Sequence, residues 1–211
     1  MKNGKAVIFT GGAGPTYEKV SDLIESAEII VAADSGWDLA TSLGVSVDYC
    51  IGDMDSVVDK EGMEKLPPER RKIFPVEKDF SDTELSIIFL EEKNYRDIVL
   101  IGGGGGRIDH TLALKALFAG RHKPAMWFTA DESILYLEGN RDFPCAIGRT
   151  VSIFSCDESG AYVTTKGLKW ELNNFEMNST SFSLSNKAVS ESVTITVHSG
   201  AVLVMFNYQS S

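Results

Sequence analysis

The chain has 211 residues, 43% of them hydrophobic and 24% charged, enough apolar material for a packed core and too little charge for global disorder. Lys and Arg number 20 against 30 Asp and Glu, a net charge of −10 that repels nucleic-acid backbones and anionic lipid and excludes a general binder of either. It leaves room for a small anionic substrate held by a few cations or through a metal, and Mg²⁺ is the expected bridge between an acidic protein and a phosphate.

The predicted elements begin with short, nearly continuous apolar runs at 5–10, 28–33, 47–51, 71–74 and 97–101, with helical patterns between them. Strands of that kind are buried on both faces, which predicts an α/β domain with a mostly parallel sheet and flanking helices. Ser81-Asp82-Thr83-Glu84 reads as a capping box with Ser81 as N-cap, followed by an apolar stripe of Leu85, Ile88 and Phe89. Another helix opens near Asp109, runs through Leu112, Leu114, Ala116 and Leu117, and ends towards Gly120.

The pattern then changes. Runs at 126–129, 133–137, 150–154, 161–164, 181–184, 193–197 and 201–206 read as strands joined by Ser, Thr, Asn and Gly, which predicts an antiparallel β-sandwich. The expected division is an α/β domain over 1–125 and a β-sandwich over 126–211. No run is long enough for a transmembrane helix or a signal-peptide core. Cys50, Cys145 and Cys156 lack C-x-x-C spacing, so free thiols in a reducing cytoplasm are expected.

Ligands of open parallel sheets bind beyond the carboxyl ends of the strands. Those ends carry acids here: Asp34 after the second run, Asp53 and Asp55 after the third, Asp79 and Asp82 after the fourth, Asp109 after the fifth. Two residues apart in extended backbone, Asp53 and Asp55 would face one hard cation together; a plain surface turn is the competing reading. Acids at the start of a helix, such as Asp82, also suit the macrodipole without any ligand. The run Gly102 to Gly106 allows a curled backbone with inward N–H groups, an anion nest beside Arg107 and a helix entrance, although it matches neither the P-loop nor the dinucleotide fingerprint. His110 adjoins this rim, while His122 and His198 are expected to be structural. No spacing supports a zinc site, and no serine or cysteine stands in an activating context.

Asp34-Ser35-Gly36, Gly52-Asp53-Met54-Asp55-Ser56, Lys78-Asp79-Phe80-Ser81-Asp82-Thr83-Glu84 and Gly105-Gly106-Arg107-Ile108-Asp109-His110-Thr111-Leu112 occur in that order. With Thr165-Lys166-Gly167-Leu168-Lys169-Trp170 and Leu184-Ser185-Asn186 they resemble the thiamine pyrophosphokinase family over almost the whole chain. The resemblance implies a homodimer that moves the pyrophosphoryl group of ATP to the hydroxyl of thiamine, leaving AMP. It implies Mg²⁺ on Asp53, Asp55 and Asp82, and nucleotide contacts from Asp34, Gly105, Gly106, Arg107, Asp109 and His110. Ser183, Ser185, Asn186 and Trp170 would contact thiamine, across the dimer interface for the first three. Asp55 or Asp82 would take the hydroxyl proton. The chain departs from the usual family pattern at Ser35, Trp37, Met54 and Leu114 but keeps the acids. Transfer to another heterocyclic alcohol, and a non-catalytic nucleotide or thiamine sensor, are the alternatives.

Overall fold

Ala6, Val7, Ile8 and Phe9 expose no surface, because their strand, β1 (Lys5–Thr10), is paired along both edges and covered on both faces. Chain order around it continues with α1 (Tyr17–Glu25), β2 (Ala27–Ala33), α2 (Gly36–Ser42), β3 (Tyr49–Gly52), α3 (Lys60–Glu64), β4 (Arg71–Ile73), α4 (Asp82–Glu92), β5 (Asp97–Gly102), α5 (Ile108–Leu117) and β6 (Met126–Phe128). This is a computed structural model, and it describes residues 4–75, 77, 79–156 and 158–208. Lys78 of the motif around Asp82 lies outside the described residues.

In the first unit the strands lie in the order β6-β5-β1-β2-β3-β4, all parallel. The order reverses at β1, which pairs with β2 on one side and β5 on the other, so a crevice opens beyond the carboxyl ends of these strands. Ser81 caps α4 as expected, its hydroxyl accepting from the Glu84 amide at 3.2 Å. The buried face of α4 differs from the expected stripe: Thr83, Ser86, Ile87 and Leu90 are inside. Phe89 instead packs its ring on Tyr49, with the Lys93 ammonium over both rings. On α5 only Leu114 is buried, and Leu112 stays exposed.

The strand expected to open the antiparallel half, β6, runs parallel to β5 and belongs with the first unit. The chain divides into Met1–Asp131 and Glu132–Ser211. The second unit contains β7 (Glu132–Leu137), β8 (Asn140–Pro144), β9 (Thr150–Ser155), β10 (Ala161–Lys166), β11 (Phe175–Met177), β12 (Ser183–Lys187), β13 (Ser192–Ser199) and β14 (Val202–Asn207). Its strands pair antiparallel as β12-β9-β14-β7 and β11-β10-β13-β8. Val151, Ile153, Val202 and Val204 from the first set share one core with Val163, Met177, Val193 and Ile195 from the second, which makes a sandwich. Each such aliphatic side chain, fully buried, contributes roughly 1.5–3 kcal/mol.

Candidate active site

The acids at the strand ends are drawn together by backbone geometry that side chains ordinarily avoid. Asp34 leaves β2 in a left-handed conformation, φ 47°, fixed by its amide donating to Ile51 O at 2.9 Å and its carbonyl accepting from Trp37 N at 3.0 Å. Gly52 ends β3 with φ 150°. A Cβ there would stand 3.0 Å from the Asp82 carboxyl carbon and 3.2 Å from the Asp34 Cβ, so its missing side chain is what lets those two acids approach.

Carboxylate oxygens of Asp34, Asp53 and Asp82 lie within 4.8 Å of one another. Burial pushes the Asp34 carboxyl above the ordinary range; the backbone hydrogen bond from Ser35 opposes this, and the charges of Asp82 and Asp53 add to it. The Asp34 Oδ1 is buried with no hydrogen-bond partner among the described residues. Three hard oxygen donors at this spacing, with the Asp34 Oδ1 orphaned, suit a divalent cation such as Mg²⁺.

Asp55 does not join this group. Met54 between it and Asp53 is left-handed, φ 62°, with its side chain buried against Cys50 Sγ at 3.4 Å. The extended backbone that would aim both carboxylates one way is therefore broken. Asp53 Oδ1 accepts from the Asp55 amide at 3.2 Å, and Asp55 Oδ1 accepts from the Ser56 hydroxyl at 2.8 Å at the exposed rim. Asp34, expected at the nucleotide end, lies beside Asp53 and Asp82.

Beside the acids lies a cavity of about 400 Å³ lined by Asp34, Asp82, Gly103, Gly105, Arg107 and His110, among others. The glycine run divides its labour. Gly103 N donates to Gly11 O at 3.0 Å, and Gly104 and Ala13 exchange hydrogen bonds at 3.0 and 2.6 Å. The first half of the run thus packs onto the loop after β1, which narrows the expected anion nest to Gly105 and Gly106, both with positive φ. Arg107 precedes α5 and grips Asp109 with two bonds, Nε to Oδ1 at 3.1 Å and Nη2 to Oδ2 at 2.5 Å. That fork holds the Asp109 carboxyl below the usual range. His110 is exposed on the cavity wall, whereas His122 pairs with Glu91 and His198 with Thr164.

Thr10 and Thr83 were not singled out by the sequence. Their hydroxyls meet at 2.9 Å, buried beneath the cavity they help to line. The available signal was the position of Thr83 inside the capping box. In the second unit Asn186 is buried with its amide spent on the backbone of Trp170 and the Ser183 hydroxyl. Ser185 is exposed with φ 54°, and Trp170 is 56% exposed with the Lys169 ammonium 4.7 Å from its ring.

The first unit is an open parallel α/β domain with an acid-lined cavity at its switch point, and the second is an antiparallel sandwich: the class is a two-unit protein with a ligand cavity of the open α/β type. Residues 20–127 match the family description "Thiamin pyrophosphokinase, catalytic domain", and residues 138–202 match "Thiamin pyrophosphokinase, vitamin B1 binding domain". The chain belongs to the thiamin pyrophosphokinase family and is an enzyme of that class. Solved structures share its fold. A thiamin pyrophosphokinase family protein from Enterococcus faecalis is 22% identical at TM-score 0.79, over 98% of this chain and 100% of that one. Thiamine pyrophosphokinase from Bacillus subtilis is 21% identical at 0.76, over 98% and 100%. The yeast enzyme is 16% identical at 0.74, over 99% and 88%. By sequence, no curated protein matches the chain.

Proposed function

We propose that the chain transfers the pyrophosphoryl group of ATP to the hydroxyl of thiamine, giving thiamine diphosphate and AMP, with the nucleotide in the first unit's cavity. The observation that carries this is the convergence of Asp34, Asp53 and Asp82 at the cavity that Gly105, Arg107 and His110 also line or adjoin. These acids would hold Mg²⁺, which supplies neutralisation of phosphate oxygens when bound.

The remaining work belongs to the protein's own groups. The thiamine oxygen forms a bond to the β-phosphorus as the bond from that phosphorus to the AMP oxygen breaks. Such a transfer needs positioning and charge stabilisation more than covalent chemistry. The Gly105 and Gly106 amides orient the phosphates, and Arg107 turns its fork from Asp109 to phosphate oxygens. Asp55, the rim acid outside the three-carboxylate group, takes the hydroxyl proton. Trp170 and Ser185 offer exposed aromatic and polar surface for the thiamine rings, with Asn186 and Ser183 holding them in place.

A homodimer is part of the same reading. Trp170, Phe182, Leu184 and Val189 are all large, apolar and exposed in the second unit, which supports a covered face. The free, buried thiols Cys50, Cys145 and Cys156 support the cytoplasm as compartment. Among the described residues no helix is long and apolar enough to cross a membrane.

Incubation with ATP, Mg²⁺ and thiamine tests the activity, with AMP and thiamine diphosphate read by chromatography. Both products are expected in equal amounts. Binding of ATP or thiamine with no AMP released would overturn the reading in favour of a sensor, and faster turnover of another heterocyclic alcohol would overturn the choice of substrate. A monomeric mass by light scattering would overturn the dimer.

A further inference from the structure

Asp38 stands on α2, four residues after Asp34, and is not one of the clustered acids. Both of its oxygens are spent on the loop that follows β3. Oδ2 accepts from the Val58 amide at 2.9 Å and Oδ1 from the Asp59 amide at 2.9 Å. Asp59 then uses its own carboxylate to accept from Gly62 N at 2.9 Å, capping α3. The start of α2 is tied to the acid cluster, since Trp37 N donates to Asp34 O at 3.0 Å and Asp38 N to Ser35 O at 3.1 Å. Met54 and Val57 anchor the same loop from below, in the core that also contains Trp37 and Ala40.

An acid in the first turn of a helix is ordinarily explained by the macrodipole. That explanation requires no partner, and it does not account for two oxygens each placed on one of two consecutive amides of a distant loop. Bonds from amides to an ionised carboxylate are about twice as strong as neutral ones. The loop they hold carries Asp53, which must come within ligand distance of Asp34 and Asp82 although Met54 bends the chain between it and the anchored segment. Besides the Asp38 clamp, the segment from Asp55 to Asp59 is held by the buried side chain of Val57 and, at its end, by the Met63 amide donating to Asp59 O at 3.1 Å.

We propose that Asp38 is a positioning residue: its carboxylate clamps the Val58 and Asp59 amides and so holds Asp53 in register with Asp34 and Asp82, preorganising the cation site. The inference rests on the reading of those three acids as cation ligands.

The test is a titration of the whole protein with Mn²⁺, the free ion followed by its paramagnetic resonance, for wild type, Asp38→Asn, Asp38→Ala and Asp82→Asn. Hydrogen exchange across residues 53–59 and thermal melts without metal accompany it. Asp38→Ala is expected to weaken Mn²⁺ binding by roughly tenfold or more. Asp38→Asn, which keeps one acceptor, should fall between it and wild type. Exchange should quicken in the loop while β1 and β5 keep their protection. Wild-type Mn²⁺ affinity in Asp38→Ala overturns the proposal, as does loss of protection spread evenly through the unit. If Asp38→Ala does not fold, Asp38→Asn decides by the same measures, and wild-type affinity in it overturns the proposal. Equal Mn²⁺ binding by wild type and Asp82→Asn would instead overturn the ligand reading on which the proposal stands.

Discussion

Asn186 holds Trp170 by both polar atoms of its amide: Oδ1 accepts from the Trp170 N–H at 3.1 Å, and Nδ2 donates to the Trp170 carbonyl at 2.7 Å. The side chain doing this is only 2% exposed, while the indole it steadies is 56% exposed. Replacing Asn186 by Ala leaves both Trp170 backbone groups without this partner, a cost of about 1–3 kcal/mol if they stay dry. Asn186→Ala should therefore lower the melting temperature and raise the KM for thiamine, with a smaller change in the KM for ATP. Asn186→Asp keeps the acceptor but loses the donor, and should fall between Ala and wild type in thiamine KM. Steady-state kinetics in both substrates separates these outcomes.

Gly52 provides a second test. An added methyl would stand 3.0 Å from the Asp82 carboxyl and 3.2 Å from the Asp34 Cβ, inside van der Waals contact, on a backbone with φ 150°. Gly52→Ala should cost about 1–3 kcal/mol in strain, read by chemical denaturation. It should also reduce AMP formation at fixed Mg²⁺ more than that stability loss explains, because the acids are pushed apart.

The three clustered acids repel one another, and burial adds to the cost of charging Asp34. Asp34→Asn should raise the melting temperature in the presence of a chelator, yet lower turnover by roughly two orders of magnitude. Mg²⁺ should stabilise wild type against heat and leave Asp34→Asn nearly unmoved. Melts with and without Mg²⁺, beside an AMP assay, check all of this.

Arg107 and Asp109 are both largely exposed, so their pair contributes little to folding. Arg107→Ala should leave the melting temperature essentially unchanged and raise the KM for ATP. Arg107→Lys should rescue only in part, because an ammonium lacks the fork that meets two phosphate oxygens at once. A wild-type KM for ATP in Arg107→Ala would remove this residue from the nucleotide end.

Burial first, and then the charge of Asp34, pushes the Cys50 thiol up to about 12. Its folded value is raised, so the stability it contributes is complete below its unfolded value of about 9 and is lost as pH rises through about 12. At pH 8 the native protein should react very slowly with alkylating reagents at Cys50, and rapidly once unfolded, as mass spectrometry of labelled peptides would show.

Much of this was legible because the determinants are local. The apolar runs declare the parallel strands, and Ser81 with Glu84 declares the start of α4. Other features depend on partners far along the chain. Arg141 and Asp142 give β8 no strand signature; it forms because β13 pairs with it over Asn140–Pro144. The parallel pairing that assigns β6 to the first unit is likewise set by β5, not by its own three residues. At the site, the acids could be named but their grouping could not. Asp55 turns away from Asp53 because Met54 is left-handed, and a methionine carries no sign of that in sequence; Asp34 approaches because Gly52 leaves room for it.

The mutual hydrogen bonds of Ala13 and Gly104 stitch the loop after β1 to the glycine run after β5. A change of length in one loop therefore disturbs the other. One residue inserted on either side would slide the seam and carry Gly105 and Arg107 out of place, so tolerated length changes must occur in matched pairs. The stretch that looks in sequence like a free tether is, on this geometry, pinned to the loop beside it.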